Sequence, residues 1–501
     1  MKRIAGFVPV LAFALLLTGV AETVNVRIGL EDAGNDFEVI CPQGATVSSP
    51  SLRVPLVIEP DGKLRFHKTG DPSENPVARE IWRLQIHAAR DPGSAERAAK
   101  EAQRKLGPGI SIYVEPIEQY FKVRVGDFGT REEAMAYKPS LEKKGYPSFP
   151  VKILVCEEGP PIADVPLAIC AGKGEVLVTA ATPIAIQPQV GFLALRNRTY
   201  RGRFEVRVDP TGKIVLVNDL DIDDYLMGVV PSEVHHSLPA EALKAQAVAA
   251  RSEILAKLGR HSESGFDFCD QEHCQRYRGM EREETSTNAA VKTTAGEVLY
   301  YRGEIIDAVY SASCGGITES NQYVWDGKAV PYLQGHLDAD KRKVRTRPPL
   351  RTEGSVRRWV QSKPRCYCAV QPKHFRWQVS FSTKELGRMV NAGGYDIGTF
   401  KDMRVVKRGV SGRIRDLDII GSKRTVRIHK ELNIRRLFGG LKSSCFWWSK
   451  KGGRYYLFGA GRGHGCGMCQ DGIWGMALAG FSYRQMLAHY YPGSEIRIYR
   501  P

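Results

Sequence analysis

The stretch DIDDYLMGVVPSEVHHSLPAEALKAQAVAARSEILAKLG, Asp221 to Gly259, constrains the fold more than any other. It predicts a short helix, a Pro-broken loop and a long amphipathic helix whose first helical position suits Pro239. Leu243, Ala247, Ala250, Ile254 and Leu258 recur at helical spacing and mark one buried face. The loop carries a lone acid, Glu233, between Pro231 and the His235-His236 pair. Spacing alone makes Glu233 a solvated loop residue. The same carboxyl held against packed apolar groups would stay protonated and serve as a general acid.

The chain has 501 residues, 43% hydrophobic and 25% charged, enough for several domains with sizeable cores. A net charge of +17 points to an anionic partner and does not by itself choose among nucleic acid, membrane surface and wall polymer. Lys2 and Arg3 precede the apolar run Ile4 to Val20 and a small-residue site at Gly19-Val20-Ala21. That order reads as a secretory signal over residues 1–21, with an uncleaved membrane anchor as the alternative. Export excludes a nucleic-acid role and permits disulfides. The odd total of eleven cysteines leaves at least one unpaired within the monomer or bound to metal.

Residues 22–77 are strand-rich, with a hairpin signal around Pro60-Asp61-Gly62. Over 78–156, Trp82, Leu84 and Ile86 alternate as a strand, and Ala95, Ala98, Ala99, Ala102 and Leu106 follow at helical spacing. Two further strands, a helix capped by Thr130 and Glu133, and a last strand near Phe149–Val155 complete a β-α-β-β-α-β order. YFKVRVGDFGTREEAMAYKPSLEKKGYPSFPV resembles the second half of a sporulation-related (SPOR) repeat. The resemblance implies a small ferredoxin-like domain that binds peptidoglycan glycan stripped of stem peptides. Trp82, Tyr120, Phe128 and Tyr146 are available either for stacking on sugars or for the core.

Within residues 157–501, YRGRFEVR, VNDLDIDDYLMGVVPSEV, LKAQAVAARS, TTAGEVLYYRGEIIDAVYSASCGGITE, SGRIRDLDIIG, GRGHGCGMCQDGIWGMALAGFSY and LAHYYPG arrive in order. They resemble the catalytic domain of the stage II sporulation protein D and amidase-enhancer family. An α+β fold is implied, with lytic transglycosylase activity: cleavage of the MurNAc–GlcNAc bond with a 1,6-anhydro product. The family's catalytic glutamate, in its Pro-Ser-Glu motif, is Glu233 in this chain. One carboxyl suffices, because the sugar's own C6 hydroxyl replaces the water that would need a second. Asp223 and Asp224 then read as caps of the first helix. The amidase-enhancer name carries the rival implication of a non-catalytic wall-binding protein that stimulates an amidase.

Lys244 and Arg251 share one side of the long helix, as cleft groups for a substrate carboxylate or as a solvated face. Tyr310, Ser311 and Ser313 precede a Gly315-Gly316 turn that would present hydroxyls to a ligand. The glycine-rich run Gly461–Gly467 leaves His464 and Gln470 as cleft groups. There Cys466, Cys469 and Asp471 replace the family's Val, Ser and Tyr; a Cys466–Cys469 bridge, or either paired with Cys314, would stiffen the loop, ahead of metal binding. His261, Cys269, His273 and Cys274 offer two imidazoles and two thiolates for a structural zinc, with a Cys269–Cys274 disulfide as the alternative. Some family members bind zinc in the corresponding loop. The basic insertion at 340–368 reads as a surface loop, solvated or in contact with an anionic wall component.

Overall fold

The computed structural model describes residues 24–30, 37–69, 78–89, 91–117, 120–146, 148–156, 166–171, 175–209, 212–271, 274–340 and 342–500. Residues 1–21, expected from the sequence to be a secretory signal, lie outside them.

The strand-rich residues before and after the SPOR-like unit form one body. Asn25–Gly29 pairs with Ile214–Asp221, Ala45–Ser48 with Ile184–Pro188, and Glu38–Cys41 with Leu193–Leu195, all antiparallel. Gly62–Lys68 pairs with Pro166–Ala171, so the SPOR-like unit is inserted between two adjacent strands. A seven-stranded and a six-stranded sheet result. Their alternating residues, among them Val26, Ile28, Val39, Val47, Leu64, Ile169, Ile186 and Phe204, close a common core. The described strands within residues 24–69 are therefore part of the body that supports the helix pair, not a segment apart from it.

The inserted unit runs Ala78–Ala89, helix α1 (Pro92–Leu106), Ile112–Ile117, Tyr120–Phe128, helix α2 (Arg131–Lys143) and Phe149–Cys156. This is the β-α-β-β-α-β order expected, and Thr130 and Glu133 form the capping box. Leu84, Val125, Ala134 and Leu141 make its core, with Trp82, Phe128 and Tyr146 packed against them. Those aromatic rings serve the fold; the side chain of Tyr120 lies outside the described residues. The alternate positions carry charge: Arg83 reaches Asp127 at 2.7 Å and also Glu115, which Arg124 shares.

Helix α3 (Ile222–Glu233) starts at Asp221, whose carboxylate accepts from the Asp223 amide at 2.8 Å. The cap is thus Asp221, not Asp223 or Asp224. The helix continues through Pro231, correcting the expected loop: Glu233 is its last residue, with Val234 following as the cap. Proline in the last turn removes a single intrahelical donor. Ser232 Oγ donates to the Gly228 carbonyl at 3.1 Å in the same turn.

Helix α4 (Ala240–Ala256) has Pro239 as its N-cap, one residue before the expected position. Leu243, Ala247, Ala250 and Ile254 join the sheet core as expected. Ala242, Ala245, Val248 and Ala249, on the other side, join a second core formed by the C-terminal half. The helix is a wall shared by two cores, and alanine lets both approach it closely. Leu258 lies beyond its end and is 46% exposed.

A third core lies among strands Arg376–Ser382, Phe400–Arg408, Ile414–Gly421, Phe446–Lys451 and Arg454–Ala460. The basic insertion is not a surface loop. Glu353–Gln361 is helical, and Val344, Leu350, Val356, Trp359 and Val360 are buried in the second core. Its described arginines and lysines face outward while its sparse apolar residues hold it in place.

Candidate functional site

Glu233 is half-buried at the C-terminal end of α3, and Gln470, just beyond the glycine-rich run, is brought to it from more than two hundred residues away in the chain. That run passes alongside 313–319 through bridges between Ser313 and Arg462 and between Glu319 and Cys466. Arg413, 2% exposed, secures it by donating to the carbonyls of Gly463 (3.3 Å), Cys314 (3.2 Å) and Ser313 (3.3 Å). Gly465 has φ +74°, and a Cβ there would collide with the Arg413 guanidinium. Glycine is needed for both reasons.

Beyond the loop, Met468–Cys469 pairs parallel with Tyr310–Ser311. Helix α5 (Gln470–Leu478) then begins, with Gln470 as its first residue. Gln470 Nε2 makes long hydrogen bonds of 3.4 Å to the Glu233 carbonyl and to Gln246 Oε1 of α4. Burial pushes the Tyr310 phenol well above its usual pKa, and the Glu233 charge adds the next largest push. Tyr225 is raised in the same way by burial, then by Cys274, Tyr277 and Glu233. Glu233, Tyr310 and Gln470 thus converge from three segments.

Other expected cleft groups have structural work. Arg251, 1% exposed, uses Nε and Nη2 on Asp223 Oδ1 (2.8 and 2.5 Å) and Nη1 on the Thr294 and Glu297 carbonyls (2.8 and 3.1 Å). It ties α4 to the start of α3 and cannot meet a substrate. Ser311 is buried, with Oγ accepting from the Gly465 amide at 3.1 Å. Lys244 Nζ sits 2.8 Å from Glu241, within the same helix, and 5.8 Å from the centre of the Tyr483 ring.

His464 donates from Nε2 to the Tyr310 carbonyl at 2.9 Å, while Nδ1 accepts from the Cys466 amide at 3.1 Å. Both nitrogens are engaged by backbone, so His464 positions Tyr310 instead of offering a ring nitrogen to substrate. Burial first, and the Arg413 charge second, hold its pKa down to about 3. In the unfolded chain the same imidazole titrates at about 6.5. The stability it contributes is full above that value and is lost as pH falls toward 3, because only the unfolded state takes up the proton. Urea midpoints measured from pH 7 to 4 are expected to fall, with this group supplying up to ~1.4 kcal/mol per pH unit. His464→Gln should remove that part of the slope.

Sequence reading missed Trp325, which is 46% exposed with its ring centre 4.9 Å from that of His464. A single tryptophan in a short helix (Asn321–Val324, capped by Trp325) gave no spacing signal. Arg413 and Gln246 were missed because a buried polar residue has no sequence signature. Glu253, whose charge reaches Tyr310, is held by Lys257 at 2.7 Å and Gln275 at 3.3 Å, so its carboxylate is committed elsewhere.

Three of the expected metal ligands converge: donor atoms of His261, Cys269 and Cys274 all lie within 4.8 Å of one another. His261 Nε2 is 3.2 Å from Cys274 Sγ. His273 lies outside the described residues. No disulfide joins the described cysteines, and Cys466 Sγ lies 3.9 Å from the Leu333 carbonyl oxygen.

Comparison with known proteins agrees with this architecture. The SPOR domain family matches residues 78–152, the stage II sporulation protein (SpoIID) family matches 210–301, and a domain of unknown function (DUF8618) matches 319–467. An uncharacterized protein of Brachyspira hyodysenteriae is 31% identical over 314 residues, covering 62% of this chain and 76% of its own. The amidase enhancer of Bacillus subtilis is 31% identical over 296 residues, 55% of this chain and 40% of its own length. The stage II sporulation protein D of Bacillus amyloliquefaciens is 28% identical over 298 residues, covering 56% and 75%. Among the described residues no helix is long and apolar enough to cross a membrane. With the Pro-Ser-Glu helix end, the two-sided α4 and the glycine-rich loop all in place, the chain belongs to the stage II sporulation protein D family and carries an inserted SPOR domain.

Proposed function

We propose that this protein is an exported lytic transglycosylase of the bacterial wall, with Glu233 as its one acid–base group. The observation that carries the reading is the meeting of Tyr310, Gln470 and the half-buried Glu233, three residues that have no reason of local sequence to be together. Glu233 donates its proton to the glycosidic oxygen as the C1–O bond of MurNAc breaks. The carboxylate then accepts the proton of the C6 hydroxyl as that oxygen bonds to C1, which closes the 1,6-anhydro ring and restores the acid. No water is consumed, so no second carboxylate is required. Glu253, already tied to Lys257, is consistent with a single-acid reaction.

Gln470 braces the end of α3 through the Glu233 carbonyl, and His464 braces Tyr310 through its carbonyl. Trp325 is the exposed ring on which a sugar can stack. Trp325→Ala is expected to weaken glycan binding roughly five- to tenfold, about 1 kcal/mol, with little change in turnover; KM and kcat on purified glycan strands separate the two.

A zinc ion would be held by His261, Cys269 and Cys274, with His273 available from the sequence. Bound there it would supply folding energy and no chemical step. The buried Tyr225 phenol is pushed up by burial first and then by Cys274 and Glu233 among others, so it is near enough to feel both groups. The SPOR domain would deliver the enzyme to peptide-free glycan, and a cell-wall amidase that strips the peptides is the natural partner activity.

The relative named amidase enhancer supports a second reading, in which the chain binds peptidoglycan and stimulates an amidase without cutting glycan. Digestion of peptide-free strands decides between them. Anhydro-ended products from the protein alone support the enzyme; retained binding with no product supports the enhancer.

A further inference from the structure

A second group of soft ligands lies in the C-terminal core, away from His261. Cys314 follows the Tyr310–Ser311 strand, Asp338 follows the short helical turn Pro331–Leu333, Cys368 belongs to the basic insertion, and Cys469 caps α5. Cys314 Sγ is 3.6 Å from Cys368 Sγ and 3.1 Å from Asp338 Oδ2. One donor atom from each of the four residues lies within 4.8 Å of all the others, and all four residues are buried. A tetrahedral ion with sulfur ligands at about 2.3 Å separates them by roughly 3.7 Å. An iron–sulfur cluster would need its sulfurs spread around a larger body.

The surroundings are arranged for charged ligands. Cys469 Sγ accepts from the amides of Cys314 (3.1 Å) and Gly472 (3.3 Å), and Cys314 Sγ accepts from the Gly316 amide (3.3 Å). Thiolates accept such bonds well and neutral thiols poorly. Tyr490 donates to Asp338 Oδ1 at 2.7 Å, which leaves Oδ2 toward the sulfurs. Outer contacts of this kind orient metal ligands. Gly472 preserves the space: a Cβ there would strike the Tyr490 hydroxyl and stand 3.0 Å from Asp338 Oδ2.

We propose that Cys314, Asp338, Cys368 and Cys469 form a closed, structural zinc site that fastens the basic insertion and the start of α5 to the Tyr310–Ser311 strand. It explains why cysteine stands at the α5 cap, where a side-chain oxygen is the usual choice. It also gives the insertion a covalent-strength anchor and fixes Gln470, the residue next to Cys469, against Glu233. Three converging thiolate sulfurs joined by one carboxylate oxygen select zinc over hard cations.

The test is metal analysis of the full chain purified without chelator. A zinc ion that survives Cys274→Ser and is lost as a full equivalent in Cys368→Ser and in Asp338→Asn is the expected result. Because these variants can fail to fold, wild type is also alkylated under native conditions and mapped by mass spectrometry, with and without a strong chelator. Cys314, Cys368 and Cys469 should become reactive together only when the metal is withdrawn. A Cys314–Cys368 disulfide, or purified protein whose Cys274→Ser form holds no metal, overturns the proposal. Both readouts are independent of glycan cleavage, so the site and the enzymatic reading can fail separately.

Discussion

Replacing Glu233 with glutamine is expected to lower turnover on peptide-free glycan by about 10² to 10⁴, the range a positioned acid–base group supplies. The amide matches the carboxyl in shape but neither gives nor takes the proton. Binding should be nearly unchanged. The Gln470 contact reaches the backbone carbonyl of residue 233 and not its side chain, so the brace survives the substitution. The prediction is therefore a loss in kcat at constant KM, the signature of an interaction made in the transition state. A variant that still cuts at the wild-type rate would remove Glu233 from the acid's role and leave the fold of the site intact.

Arg251→Ala should produce the largest loss of stability, about 3 kcal/mol, the low end for breaking a buried ion pair because Asp223 keeps some access to water. The side chain is 1% exposed and satisfies Asp223 together with the Thr294 and Glu297 carbonyls. Its removal leaves a carboxylate and carbonyls without their donor where α3, α4 and the strand Glu297–Tyr301 meet. Arg251→Lys keeps the charge but not the planar fork that spans these acceptors, so an intermediate loss is expected. Urea denaturation of the three proteins measures this. Unchanged stability with reduced activity would return Arg251 to the cleft.

Local order was legible in the sequence wherever neighbours in the chain are neighbours in space. The SPOR domain follows from alternation, one stripe and a capping box, because each of its elements touches the next. The alternating strands Arg203–Val208 and Ile214–Asp221, close together in the chain, pair with each other for the same reason. The insertion of that domain between Gly62–Lys68 and Pro166–Ala171 was not, since the pairing partners are about a hundred residues apart and any alternating strand could have answered. Helix α4 gave one face through Leu243 and Ile254, while its second face is mostly alanine and carries little hydrophobic contrast. Pro231 suggested a break; in the last turn of a helix it costs only one bond.

In the site, the role of Glu233 came through family resemblance, while Tyr310 and Gln470 were legible from the glycine turn and the glycine-rich run beside them. Arg251, Ser311 and His464 were read as cleft groups because sequence gives a residue's type and not its direction. Each is turned inward, toward an ion pair or a backbone group. Cys368 sits in a stretch so basic that it read as solvent-exposed, yet its few apolar residues carry it into the core beside Cys314.

The central claim, a single-acid cleavage that uses the substrate's own hydroxyl, is tested most directly by the mass of the new chain ends. Peptide-free glycan incubated with the purified full chain should yield MurNAc ends lighter by one water than reducing ends, and Glu233→Gln should yield almost none. Reducing ends from the wild type would contradict the mechanism by showing that water is the nucleophile. No new ends at all, with binding retained, would contradict the enzymatic reading itself.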